Sequence, residues 1–416
     1  MKLPRNGPTL LALVLLGFST LTTVRSASAQ TNWVGTWSSS QQIPEPENAL
    51  PPELLTNATL RQIVHLSLGG PALRLHISNA FGTEPLHVTA VGVARPVSPS
   101  SARIDASASK AASFSGVGDV IIPAGAEYIS DPLDYPVAPL DDLAITLHID
   151  QPPLQQTGHP GSRATSYLAH GDMVSAADLP GAKKVDHWYF VAGVDVLGSS
   201  AMGSVVTLGD SITDGHGATT NGNDRWPDVL ARRLQQSAGT RTLGVLNQGI
   251  GGNHLLIDGL GPNALARFDR DVLAQPGVRY LIVLEGVNDL GGLTRAGEVS
   301  LPEHSALVRR ILAAYQQLVV RAHTHGIKVI GATILPYTGS DYYHPGPDSE
   351  ADRLAINQWI RAPHHFDAVI DFDQATRDPA HPERLLPAYD SGDHLHPSPR
   401  GYAAMGESIP LSLFEH

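Results

Sequence analysis

Hydrophobic and polar positions change period partway along the chain. Up to about residue 200, apolar residues recur at every second position. Leu73, Leu75 and Ile77 alternate with Arg74, His76 and Ser78, and Leu143, Ile145, Leu147 and Ile149 alternate with Ala144, Thr146, His148 and Asp150. A period of two buries one face of a strand and wets the other, the habit of antiparallel sheets. Gly69-Gly70-Pro71 is a turn signal joining Leu73–Ile77 to an earlier strand candidate, Val64–Leu68. Trp188–Val196 reads as a further strand, and the Ser/Ala-rich stretch 98–115 as an exposed loop. Helical periodicity is nearly absent, which predicts an all-β sandwich, jelly-roll-like, over residues 30–200.

From Ser204 onward strand and helix patterns alternate. Val205–Leu208, Leu243–Leu246, Tyr280–Leu284, Val329–Leu335 and Ala368–Phe372 are apolar runs of the kind buried on both faces of a parallel sheet. A helix is expected near Trp226, with Pro227 suited to its first turn. Val308, Ile311, Leu312, Tyr315, Leu318, Val319 and Ala322 recur at helical spacing until Gly326 stops them, and another helix runs from near Ser349 to Arg361. Five strands alternating with helices predict a doubly wound, three-layer α/β domain over 201–416, with the boundary in 198–203.

Composition narrows the setting. Lys2 and Arg5 precede an apolar stretch, Leu10–Phe18, and Ala27-Ser28-Ala29 resembles a cleavage site, so residues 1–29 read as a secretory signal peptide. Nothing later is long and apolar enough for a membrane span. Lys2, Arg5 and Arg25 leave with the signal and no acid does, so a net charge of −12 becomes −15. Such a charge disfavours nucleic acid and anionic membrane surfaces as partners. The chain has no cysteine, which excludes disulfides and thiolate metal sites.

Four polar segments in the second half follow strands or lie near the C-terminus. They are Gly209-Asp210-Ser211, the run 247–253 (Asn-Gln-Gly-Ile-Gly-Gly-Asn), Glu285-Gly286-Val287-Asn288-Asp289, and Asp393-His394-Leu395-His396-Pro397. Acyl transfer from an ester needs a hydroxyl nucleophile, a base, a group that orients the base, and donors for the oxyanion. Ser211 offers the hydroxyl, His396 the imidazole, and Asp393, three residues earlier, the orienting carboxylate. Backbone amides of the glycine-rich loop and of Ser211, with the Asn288 side chain, offer the donors.

Each of these residues has a plainer role open to it. Ser211 could cap a helix, the glycines could serve only a loop needing positive φ, and Asn288-Asp289 could end a strand in a turn. His394 and His396 with Asp393, joined by His381 or His344, could hold a metal. His394 otherwise reads as a surface or substrate-side residue, and Asp390 is an alternative orienter of the base. Asp214 and His216, just after Ser211, read as a solvated loop, with lining of the pocket as the alternative. Tyr337, Tyr342, Tyr343 and His344 form an aromatic loop that fits either packing or a sugar ring. Asn57-Ala58-Thr59 matches a glycosylation sequon at chance level.

Taken together, the four segments resemble the SGNH (GDSL-type) hydrolases in order and approximate spacing: Gly-Asp-Ser at 209–211, a glycine aligned to Gly252, Gly-x-Asn-Asp at 286–289 and Asp-x-x-His-Pro at 393–397. The resemblance covers about 204–414. It implies a flavodoxin-like sheet, a Ser-His-Asp mechanism on Ser211, His396 and Asp393, and an oxyanion hole from Ser211, Gly252 (rather than Gly251) and Asn288. No metal or organic cofactor is implied. There is no Gly-x-Ser-x-Gly elbow of the ordinary α/β-hydrolases. Within the family, secreted two-domain members of the arylesterase and carbohydrate acetylesterase branch look most similar. The expected function is a secreted serine esterase deacetylating carbohydrate esters. A lipid or aryl esterase is the alternative, and a non-catalytic polysaccharide-binding protein the alternative of another class.

Overall fold

The computed structural model describes Met1 and residues 32–415; apart from Met1, the expected signal peptide lies outside them. Residues 32–198 build two antiparallel sheets facing one another. One has four strands in the spatial order Asn32–Ser38, Val191–Gly198, Leu73–Ser78, Glu127–Ile129. The larger sheet centres on Ala58–His65 and Asp142–Ile149, which pair antiparallel, with Leu86–Ala94 and Ser166–His170 on their outer sides. The alternating residues read from the sequence meet here. Leu73, Leu75 and Ile77 of the small sheet join one apolar core with Leu143, Ile145, Leu147 and Ile149 of the large one.

Three details depart from the sequence reading. Val64–Leu68 leaves its strand after His65, because Gly69-Gly70-Pro71 carries the chain from one sheet to the other instead of closing a hairpin. Trp188–Val196 is broken at Phe190, whose φ of 62° divides it into the two-residue strand Trp188–Tyr189, paired with Gly158–His159, and the strand Val191–Gly198 of the small sheet. Inside the expected loop 98–115, Lys110–Ala111 pairs with Gly92 and Val93.

Residues 203–370 supply a five-stranded parallel sheet: Gly203–Gly209, Leu243–Gly249, Val278–Leu284, Lys328–Ala332 and Ala368–Ile370. Their spatial order is second, first, third, fourth, fifth, the flavodoxin-like arrangement. The fourth strand stops three residues before the expected Leu335, because Ile334 N–H bonds to the Asn357 side chain rather than to a strand. Helix Trp226–Gln236 packs with Pro399–Ser408, while Leu301–Thr324 packs with Pro347–Arg361. The long helix starts at a capping box between Ser300 and Glu303 and ends at Gly326, φ 71°. It buries Ile311, Tyr315, Leu318 and Ala322, as its periodicity predicts, and leaves Val308, Leu312 and Val319 half-buried.

The halves share an intimate contact within one compact unit, Asn32–His416. Strand Asn32–Ser38 lies along Leu243–Gly249, where a Cβ on Gly35 would come 2.7 Å from Leu246 Cδ1. Ser67 Oγ accepts the Val245 N–H at 2.8 Å, and Gln248 Nε2 donates to Ser38 Oγ at 2.9 Å. The carboxyl ends of the first and second parallel strands are thus framed partly by the β-rich half.

Candidate active site

The first parallel strand is buried along its length and must end in glycine. A Cβ on Gly209 would fall 2.1 Å from Thr213 Oγ1 and 2.7 Å from Leu284 O. Asp210 then caps the short helix Ser211–Asp214, its Oδ1 accepting Ile212 N–H at 2.9 Å. The helix cap is therefore Asp210, and the Ser211 hydroxyl is left for another partner.

That partner is His396. Ser211 Oγ lies 2.8 Å from His396 Nε2, and His396 Nδ1 lies 2.6 Å from Asp393 Oδ2. Asp393 Oδ1 also accepts the amides of Leu395 (3.0 Å) and His396 (2.8 Å) and the Ser391 hydroxyl (3.1 Å). Burial works against its charge, but the hydrogen bonds from His396 outweigh it and hold the carboxyl well below the usual carboxylate range. A carboxylate facing Nδ1 keeps the proton there, so Nε2 presents its lone pair to the Ser211 hydroxyl. Asp390 belongs to a different ring: its Oδ2 meets His394 Nδ1 at 2.6 Å. His394 is exposed and turned aside by a φ of 58°.

The loop after the second strand runs past Ser211. Gly249 abuts the short helix, where a Cβ would lie 2.3 Å from Asp214 N. Gly251 and Gly252 both border the cleft, and Gly252 has a φ of 66°. Neither they nor Ser211 donate a backbone N–H to an acceptor among the described residues. Asn288 enters from the helix Val287–Thr294. Its Nδ2 donates to Asn253 O at 2.7 Å, and its Oδ1 accepts the Tyr343 hydroxyl at 2.5 Å. With the oxygen so engaged, the amide nitrogen faces the loop and keeps a second N–H for the cleft. Asp289 pins the same loop by accepting the amides of Leu255 (2.8 Å) and Leu256 (3.1 Å).

Beneath these residues lies a buried polar layer. Arg267, from the helix Ala264–Phe268, donates to Gly209 O (2.9 Å), Gln248 O (2.6 Å) and Asn253 Oδ1 (3.0 Å), and reaches Glu285 Oε1 at 3.3 Å. It ties two strand ends and the glycine loop together. Burial raises the carboxyls of Asp210, to about 7, and of Glu285; the charge of Asp289 adds to both, that of Asp210 adds to Glu285, and Arg267 opposes both.

The five residues singled out for chemistry border one open cleft of about 680 Å³. Leu260, Tyr342, Tyr343 and Leu395 supply much of its apolar wall. Tyr337 is buried in the core, whereas Tyr342 is 53 % exposed with Arg295 4.0 Å over its ring. Asp214, expected in a solvated loop, is buried and paired with His159 of the β-rich half at 2.8 Å. His216 stacks on His396 with ring centroids 4.1 Å apart. The sequence pattern gave no sign of Arg267 or His159 at this site, because neither lies in a motif of its own. His394 and His396 face different carboxylates, Asp390 and Asp393. Ligand atoms of His216, Asp393 and His396 do lie within 4.8 Å of one another, but a metal there would displace the Asp393–His396 hydrogen bond.

Residues 207–404 match the GDSL-like Lipase/Acylhydrolase family. The C-terminal domain belongs to this family. No curated protein matches the chain. Solved structures similar to the GDSL-like domain include a lipolytic protein of the G-D-S-L family from Desulfitobacterium hafniense, 26 % identical over 49 % of this chain and 96 % of that one, with a TM-score of 0.37. A GDSL-like lipase from Bacteroides thetaiotaomicron is 20 % identical over 50 % and 87 %, also with a TM-score of 0.37. An acetyl xylan esterase from Geobacillus stearothermophilus is 22 % identical over 52 % and 98 %, again with a TM-score of 0.37. The GDSL-like domain is a hydrolase, and no helix among the described residues is long and apolar enough to cross a membrane.

Proposed function

We propose that the protein is an exported serine esterase in which Ser211 is the nucleophile, His396 the general base and Asp393 the group that orients it. The observation that carries this reading is the relay Ser211 Oγ–His396 Nε2–Asp393, at 2.8 and 2.6 Å, opening on a cleft. Ser211 Oγ bonds to the ester carbonyl carbon as His396 Nε2 takes its proton. The oxyanion is held by the amides of Ser211 and Gly252 and by the Asn288 side chain. The alcohol leaves with the proton from His396. Water, deprotonated by the same imidazole, then attacks the acyl-enzyme and releases the acid. Ser211→Ala is expected to lose at least ~10³-fold in turnover, since nucleophile and base act as one unit. A fluorophosphonate should label wild type and not the variant. An active, unlabelled protein would overturn the assignment, and an inert, unlabelled one would favour a polysaccharide-binding role.

For substrate we favour small acyl groups on carbohydrate. An open cleft with an exposed tyrosine ring on its wall suits the face of a sugar, and an acidic protein suits a neutral polymer. A second reading, lipid or aryl esters, draws on Leu260, which borders the cleft and is 52 % exposed. Comparing p-nitrophenyl acetate, butyrate and octanoate, then acetylated xylan, separates them. Acetate preference with acetic acid released from the polymer supports the first; octanoate preference without release supports the second.

A further inference from the structure

His216 borders the cleft from the GDSL-like domain, but its ring is held from the other half of the chain. Residues 158–165 of the β-rich half run beside the short helix that bears Ser211 and the loop after it. His159 pairs with Asp214 at 2.8 Å, Arg163 O accepts Asn221 N–H at 2.8 Å, and Thr165 N–H donates to Asn221 Oδ1 at 2.8 Å. Gly161 has to be glycine, because a Cβ there would overlap Asp214 Oδ2 at 1.8 Å. Arg163 adopts a left-handed φ of 48°, a conformation that a non-glycine residue keeps only when its surroundings hold it. From there Arg163 Nη2 reaches His216 Nδ1 at 3.1 Å.

An arginine has donors and no acceptor, so His216 Nδ1 must accept. The ring proton of neutral His216 then sits on Nε2, 4.0 Å from Asp393 Oδ2. The ring itself lies on His396 at 4.1 Å, inclined by 39°. We propose that Arg163 is a positioning residue, supplied by the β-rich half, that fixes His216 as the neutral Nε2–H tautomer against the His396–Asp393 pair. This rests on the proposed triad. When His396 takes the Ser211 proton, a neutral ring at that distance offers a π face to the new imidazolium, whereas a protonated one would repel it. The charged and titratable groups facing His216 are His396, Arg163, Asp393 and Asp214. Burial first, then the first two, lower its pKa to about 4, while the two carboxylates oppose them.

The test is 15N NMR of the full chain labelled at histidine, joined to kinetics on p-nitrophenyl acetate. Wild-type His216 is expected as the Nε2–H tautomer at neutral pH, and as a mixture in Arg163→Met. In that variant kcat should fall about 10-fold with KM unchanged, a small part of the ~10²–10⁴ a positioned acid–base contributes. The acid limb of its kcat profile should move to higher pH as His216 protonates more readily. Because the two residues act as a unit, adding Arg163→Met to His216→Phe should cost little more than His216→Phe alone. A wild-type His216 in the Nδ1–H form, or multiplicative losses in the double variant, would overturn the proposal. If Arg163→Met does not fold, the tautomer of the wild-type protein decides. The NMR result stands without turnover, so a fully active Ser211→Ala would sink the triad separately from the tautomer.

Discussion

Asn288 shows how one side chain depends on its neighbour for chemistry. An amide can turn over and present oxygen where nitrogen is needed; here the Asn253 carbonyl, which can only accept, holds Nδ2 at 2.7 Å, and the Tyr343 hydroxyl at 2.5 Å engages Oδ1. Asn288→Ala should lose ~10²–10³ in kcat, the usual loss for one oxyanion donor. Tyr343→Phe keeps the ring and the cleft wall and removes only the donor. It should lower kcat less, about 10-fold, within the loss for a whole donor. The two losses should not multiply in the double variant; steady-state kinetics on a p-nitrophenyl ester would read this, and fully multiplicative losses would remove Tyr343 from the role. Ser211, Asp393, His396 and Asn288 were legible in the sequence because each sits in a short run whose spacing is chemical. Tyr343 was visible only as one aromatic in a loop. Its partner lies 55 residues away, and no local pattern names it.

At the scale of elements, the five parallel strands were readable because both faces are buried, which leaves continuous apolar runs. Strand ends were less so: Val329–Leu335 is apolar but for Thr333, yet Asn357 captures Ile334 N–H and the strand stops at Ala332. Least legible was the four-residue helix Ser211–Asp214, too short to show a period. Too short to stand by packing of its own, it is braced by Asp210 at one end and by the His159 hydrogen bond to Asp214 at the other, both partners of that contact being nearly fully buried. His159→Leu would leave the buried Asp214 carboxyl without its hydrogen-bond partner, and leaving such a group unsatisfied costs about 1–3 kcal/mol. Denaturant unfolding should show that loss. His159→Leu with Asp214→Leu should recover much of it, since the unsatisfied carboxyl is then gone. A single-variant loss under about 1 kcal/mol, the range of an exposed pair, would show that the contact is not a brace.

At the scale of the whole molecule, the two halves form one compact unit and are expected to unfold together, and their titrating groups give a way to see it. In the β-rich half, His76 is buried between Asp195 (2.8 Å) and Glu127 (2.7 Å). Burial pulls its pKa down, but the hydrogen bonds to Asp195 and Glu127 outweigh it and raise it to about 9. A histidine raised in the folded state contributes stability that is full below its unfolded value, about 6.5, and lost as pH rises through 9. The stake is on the order of 3 kcal/mol at 1.36 kcal/mol per pKa unit. In the GDSL-like half, Asp210 is raised to about 7 by burial, so the folded state favours its protonated form. Its contribution is full below about 4 and lost as pH rises toward 7. His216, lowered to about 4, works oppositely between about 4 and 6.5, so variants must be compared with wild type rather than read alone. Because Asn32–His416 is one compact unit, calorimetry should show a single transition that responds in both windows. His76→Gln should flatten its fall between pH 6.5 and 9, and Asp210→Asn, which can still cap the helix, should lessen the fall between about 4 and 7. Two transitions, each answering to only one of these variants, would show that the halves are energetically separate and that contacts such as Ser67–Val245 and Gln248–Ser38 do not couple them.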